Sequence, residues 1–119
     1  MPVPLDLFRN EPDFRIFSSS ATVFEEGDAA DTMYVILEGE VELYIGDKKV
    51  DTLGPGEIFG EMALIDNAPR VATAVAKTLC KLVLVSQKRF LFMVQQTPNF
   101  SLQIMRVIAE RLRKMDTRL

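Results

Sequence analysis

Phe59-Gly60-Glu61-Met62-Ala63-Leu64-Ile65-Asp66-Asn67-Ala68-Pro69-Arg70-Val71-Ala72-Thr73-Ala74 joins a glycine, a short helix-forming run, a helix stop and a single arginine. These are the parts of an anion cradle. Gly60 allows close backbone approach, and Glu61 to Ile65 can form a short helix whose first N–H groups have no internal acceptor. Asn67 suits the left-handed conformation that ends a helix, while Pro69 blocks continuation and biases Ala68 to extended geometry. The chain therefore brings Arg70 back toward the place it left, nine residues after Glu61.

A carboxylate and a guanidinium converging on one pocket suit a ligand that carries both an anionic group and a free hydroxyl. Arg70 would grip phosphate oxygens and Glu61 would accept from a sugar hydroxyl. A 3′,5′-cyclic nucleotide has one such hydroxyl, at 2′. The residues alone leave a second reading open, in which Glu61 and Arg70 pair with each other on the surface and the glycines serve barrel corners.

Upstream, from Ala21 on, short β-rich runs alternate with Gly, Asp and Pro signals: Thr22 to Phe24, Met33 to Leu37, Val41 to Ile45, Lys49 to Leu53, then Ile58-Phe59. Val41, Leu43 and Ile45 alternate with Glu40, Glu42 and Tyr44, the period of a half-buried strand. Gly46-Asp47 and Gly54-Pro55-Gly56 are turn candidates. Before this region, Leu5 to Phe17 carries apolar residues broken by Asn10 and Pro12, which predicts a short helical segment at the edge of the core.

Downstream, Val71 to Ala76 and Lys81 to Val85 read as two further strands, the second nearly continuous in apolar residues and so buried on both sides. At Ser86, a fitting N-cap, the period becomes helical through Phe90, Leu91 and Val94. Thr97-Pro98 opens a second helix running to about Thr117, since proline is tolerated at the first helical position. Met105, Ile108, Leu112, Met115 and Leu119 fall at heptad spacing along it. That stripe reads equally as packing on its own barrel or as a dimer seam. The fold class is mainly β: an antiparallel β-barrel or jelly roll (double-stranded β-helix) of about eight strands, with a short N-terminal helical segment, a cassette helix and C-terminal helices.

At 119 residues with 48% hydrophobic content, the chain is read as one domain, residues 1–119. A net charge of −3 gives no basic field, so no direct nucleic-acid binding is expected. The single cysteine, Cys80, and an N-terminus unlike a signal peptide indicate a reduced, cytoplasmic protein. No run approaches the roughly 18 apolar residues of a membrane span, so the chain is not membrane-embedded. The absence of histidine argues against most transition-metal sites, hydrolase triads and cupin-like oxygenases. The acidic group Glu25, Glu26, Asp28 and Asp31 lacks the ligand spacing of a calcium loop and reads as a solvated turn.

Phe59 to Ile65 followed by Pro69-Arg70-Val71-Ala72-Thr73 resembles the phosphate-binding cassette of the cyclic-nucleotide-binding domain family. Phe24 to Asp28, Met33 to Val41 and Gly54 to Glu61 also resemble that family's barrel, so the likeness covers nearly the whole chain. The resemblance implies that Gly60 and Glu61 meet the ribose, that Met62 and Ala63 lend backbone N–H groups to the phosphate, and that Arg70 binds it as an ion pair. In the family a Thr or Ser directly after the cassette arginine often favours cGMP; Val71 stands there, which implies a preference for cAMP over cGMP. Strict strand parity, in contrast, would turn Val71 away from Arg70 and toward Thr73. The candidate ligand-binding residues are Gly60, Glu61, Met62, Ala63, Arg70, Val71 and Ala72, with no catalytic residue, no metal ligand and no cofactor beyond the ligand. Many relatives use the final helix as a lid over the base, and here Arg106, Glu110, Arg113 and Lys114 are available for it. The implied role is a non-enzymatic sensor acting through its C-terminal helix on a second copy or an effector protein. The alternative is a degenerate barrel used only for protein assembly.

Overall fold

The computed structural model describes residues 13–115. Strands β1 (Phe14–Phe17), β2 (Thr22–Phe24), β3 (Thr32–Glu38), β4 (Val41–Ile45), β5 (Lys48–Leu53) and β6 (Ile58–Phe59) precede helix α1 (Met62–Asp66). Strands β7 (Thr73–Ala76) and β8 (Cys80–Ser86) follow, and helices α2 (Gln87–Gln96) and α3 (Pro98–Met115) come last. All pairings are antiparallel, in two four-stranded sheets of order β1-β8-β3-β6 and β2-β7-β4-β5. The result is a jelly roll of two sheets, not a closed barrel.

Strand periodicity assigns the layers. Along β3, Met33 and Val35 join a cluster with Phe90, Phe100, Ile104 and Val107 of the C-terminal helices, whereas Tyr34 and Ile36 join one with Val41, Leu43 and Ala74 of the other sheet. Successive side chains of a strand point to opposite faces, so the first sheet is sandwiched between the helices and the second sheet. That is why β3 and β8 read as nearly unbroken apolar runs. Within β8, Leu82, Val83 and Val85 are buried.

The C-terminal helices start where their caps predict. Ser86 accepts from the Arg89 N–H at 3.2 Å, and α3 begins at Pro98. Of the heptad stripe, Ile108 packs partly inward while Met105 and Leu112 stay exposed, and the buried face of α3 is set by other positions. Phe100, Ile104 and Val107 form the buried face, Ile108 packs partly against it, and Leu102, Met105 and Leu112 are 42%, 59% and 57% exposed. Leu119 lies outside the described residues. No helix among the described residues is long and apolar enough to cross a membrane.

The helical segment expected over Leu5 to Phe17 is corrected at its end, because Phe14–Phe17 is a strand paired with β8, Phe14 opposite Val83 and Phe17 opposite Cys80. Short apolar runs do not distinguish helix from strand by spacing alone, and the free edge of β8 decides in favour of pairing. The part of the segment from Leu5 to Pro12 lies outside the described residues.

Candidate functional site

The cassette folds as its residues dictate. Asn67 ends α1 in the left-handed region (φ 58°, ψ 23°), and the Asp66 carboxylate accepts from the Ala68 N–H at 3.0 Å. No side chain caps the N-terminus of α1. The returning chain is pinned to the turn between β2 and β3: the Arg70 N–H donates to the Asp28 carbonyl at 2.9 Å, and the Gly27 N–H donates to the Arg70 carbonyl at 2.8 Å. The acidic stretch thus serves as a backbone clamp on the cassette.

Glu61 and Arg70 are the only buried charged residues among those described, 3% and 7% exposed. They do not pair with each other on the surface. The Arg70 guanidinium donates to the Gly60 carbonyl at 3.0 Å and the Thr32 carbonyl at 2.7 Å, and lies 4.0 Å from the centroid of the Phe24 ring. Burial pulls its pKa below the usual arginine value, while Tyr34, Asp31, Asp28 and Glu61 oppose that shift. Gly60 takes φ 79°, and a Cβ there would sit 2.6 Å from Arg70 Nη1, so both the backbone geometry and the space require glycine.

Glu61 is held by the terminal helix. Arg111 Nη1 donates to Glu61 Oε1 at 2.7 Å, and Arg111 Nη2 donates to the Ile58 carbonyl. Sequence reading places Arg111 off the apolar stripe and leaves it out of the lid candidates. The signal was available in the spacing: Ile104 and Val107 are buried, and the next position on that face, four residues on, is an arginine. A charge on the core face of an amphipathic helix needs a partner, and Glu61 is that partner.

A cavity of about 330 Å³ opens against these groups, within the size range of small-molecule sites. Gly60, Glu61, Met62, Ala63, Arg70, Val71 and Ala72 all line it. Val71 and Ala72 form a bend ahead of β7 instead of extending it, which corrects the parity argument: without strand alternation both remain on the cavity beside Arg70. Thr73 does not line the cavity, and its hydroxyl accepts from the Glu26 N–H at 3.0 Å. The remaining wall is largely apolar, with Leu43, Ile45 and Val50 from the second sheet and Ile108 and Leu112 from α3. Of the lid candidates, Lys114 lines the cavity. One end can hold an anion and a hydroxyl, and the rest can hold a flat apolar body.

Fold and cavity together define a jelly-roll domain built around a charged, helix-roofed pocket. The chain belongs to the cyclic nucleotide-binding domain family, whose sequence pattern it matches over residues 14–97. It is 41% identical over 73 residues to the cAMP-dependent protein kinase regulatory subunit of Eremothecium gossypii, covering 61% of this chain and 16% of that protein. It is 30% identical over 123 residues to the cyclic AMP receptor protein of Thermus thermophilus, covering 99% of this chain and 57% of that one. Among solved structures, the cAMP-bound EAL enzyme Bd1971 superposes with a TM-score of 0.67 at 37% identity, over 87% of this chain and 29% of its own. The chain spans less than two thirds of each relative.

Proposed function

We propose that this chain is a non-enzymatic sensor module that binds 3′,5′-cyclic AMP in the cavity between the cassette and α3. The observation that carries the reading is the convergence of two buried, opposite charges, Glu61 and Arg70, on one cavity whose remaining wall is largely apolar. Arg70 meets the cyclic phosphate with Met62 and Ala63 N–H groups, Gly60 and Glu61 meet the ribose, and Val71 and Ala72 border the ligand. Two relatives are named for cAMP, which supports that choice, while the EAL enzyme Bd1971 is solved with cAMP and with cGMP and so favours neither.

The Arg111–Glu61 contact supplies the response. A ribose hydroxyl donating to Glu61 shares that carboxylate with Arg111 and weakens the hold of the arginine, so capture of the ligand re-seats α3. Exposed Leu102 and Met105 are then the surface through which the movement reaches a second copy of the chain or an effector protein. The setting of this reading is the cytoplasm, with no direct contact to nucleic acid.

Thermal unfolding with cAMP, cGMP and 5′-AMP, on the wild type and Arg70→Ala, tests the site. Ligand at 100 times its dissociation constant adds about 2.7 kcal/mol, a melting shift of roughly ten degrees for a domain of this size. A shift with cAMP that is absent with 5′-AMP and reduced in Arg70→Ala supports the reading. No shift with either cyclic nucleotide replaces it with a degenerate jelly roll that serves assembly alone, which the same exposed residues of α3 would favour.

A further inference from the structure

The cavity contains a carboxylate that the cassette does not supply. In the β4–β5 pairing Leu43 lies opposite Asp51 and Tyr44 opposite Lys49, so Val50 is an unpaired, bulged residue. A bulge breaks strand alternation and re-aims the side chains beside it. As a result the consecutive residues Val50 and Asp51 both line the cavity, where a regular strand would send them to opposite faces.

Asp51 is also held in place. Its side chain is 15% exposed, and Oδ1 accepts from the Thr52 N–H at 2.9 Å while lying 3.6 Å from Lys114 Nζ of α3. Among the charged residues lining the cavity, Glu61 and Arg111 hold each other and Arg70 holds two backbone carbonyls. Asp51 and Lys114 are the remaining pair.

We propose that Asp51 is the base-reading residue, its carboxylate accepting a hydrogen bond from the 6-amino group of adenine. The inference rests on the cyclic-nucleotide reading. With phosphate at Arg70 and ribose at Glu61, the purine must lie along the remaining wall of Ile45, Val50, Ile108 and Leu112, where Asp51 is the acceptor. A carboxylate only accepts, and its two oxygens offer about four lone-pair sites, so the amine is taken without displacing Lys114. An oxygen at position 6, as in guanine, sets acceptor against acceptor at that atom, so guanine meets Asp51 only by shifting to present its N1–H or 2-amino group. An analogue without the 6-amino group loses that charge-assisted hydrogen bond, while Asp51 keeps its Thr52 and Lys114 partners.

Calorimetry on the full chain with cAMP, cGMP and the cyclic monophosphate of unsubstituted purine riboside provides the test, on wild type, Asp51→Ala and Asp51→Asn. Wild type is expected to bind cAMP about tenfold or more tighter than the unsubstituted analogue, the range of a hydrogen bond to a charged group. Asp51→Ala brings that ratio to near one. Asp51→Asn raises cGMP affinity relative to cAMP, since its amide can turn a donor toward the 6-oxygen. Where Asp51→Ala binds nothing, the asparagine variant, which keeps an acceptor for the Thr52 N–H, decides on the cGMP to cAMP ratio. Ratios that stay at the wild-type value in both variants, with cyclic nucleotides still bound, overturn the role of Asp51 alone. If wild type binds no cyclic nucleotide, the functional reading falls with it.

Discussion

Arg111 of the terminal helix donates to the carboxylate of Glu61 at 2.7 Å, so the acid beside the cassette glycine is held by the helix that roofs the cavity. The Glu61 side chain is 4% exposed and that of Arg111 20%. Removing the arginine strands a buried charge. Arg111→Met should lower unfolding stability by about 2 kcal/mol, below the figure for a fully buried pair because the arginine is partly solvated. Glu61→Gln combined with Arg111→Met should cost less than the sum of the single changes, since neither partner is then left charged alone. Urea unfolding of the four proteins measures the coupling, and strictly additive losses would show that the contact is energetically idle.

Arg70 uses the fork geometry of its guanidinium to reach the carbonyls of Gly60 and Thr32 while stacked on Phe24. A lysine has a point charge on a flexible stem and cannot reproduce that arrangement. Arg70→Lys is therefore expected to lose most of the cAMP affinity lost by Arg70→Ala, on the order of 2–5 kcal/mol for a desolvated ion pair. Calorimetry on the two variants checks this. Near-wild-type binding by the lysine variant would mean that charge alone suffices and that the planar contacts are incidental.

Gly60→Ala should be damaging twice over. Positive φ costs an L-residue about 1–2 kcal/mol, and the added methyl collides with Arg70 Nη1, which must then leave the Gly60 carbonyl. Both the melting temperature and cAMP affinity should fall together. A stable variant with intact binding would show that Arg70 has room to move without consequence.

Much of this architecture was legible because its determinants are local. The alternation of Val41 and Leu43, the Ser86 cap, Pro98 at the head of α3 and Asn67 at the end of α1 each act within a few residues, so the chain itself states where elements begin and stop. What stayed hidden depends on distant partners. Phe14–Phe17 becomes a strand only because β8 has an open edge, Val50 bulges only in register with β4, and Arg111 meets Glu61 across fifty residues of chain. The cassette was readable as a set of residues, but its resting occupants, two backbone carbonyls for Arg70 and a helix arginine for Glu61, were not.

Val71 sits at the cavity rim, 58% exposed, in the bend between Arg70 and β7. A residue so exposed has little packing to lose, and Val71→Thr should leave stability within about 0.5 kcal/mol of wild type. Its effect should be chemical instead. A hydroxyl beside the arginine can both donate and accept, which gives guanine a partner that valine lacks and adds little for adenine already served elsewhere in the wall. The cGMP to cAMP affinity ratio is expected to rise by about tenfold, the scale of one net hydrogen bond. Competition calorimetry with both nucleotides reads that ratio directly. Should it stay fixed while the domain remains folded, base choice lies with the β5 and α3 wall and not with the cassette.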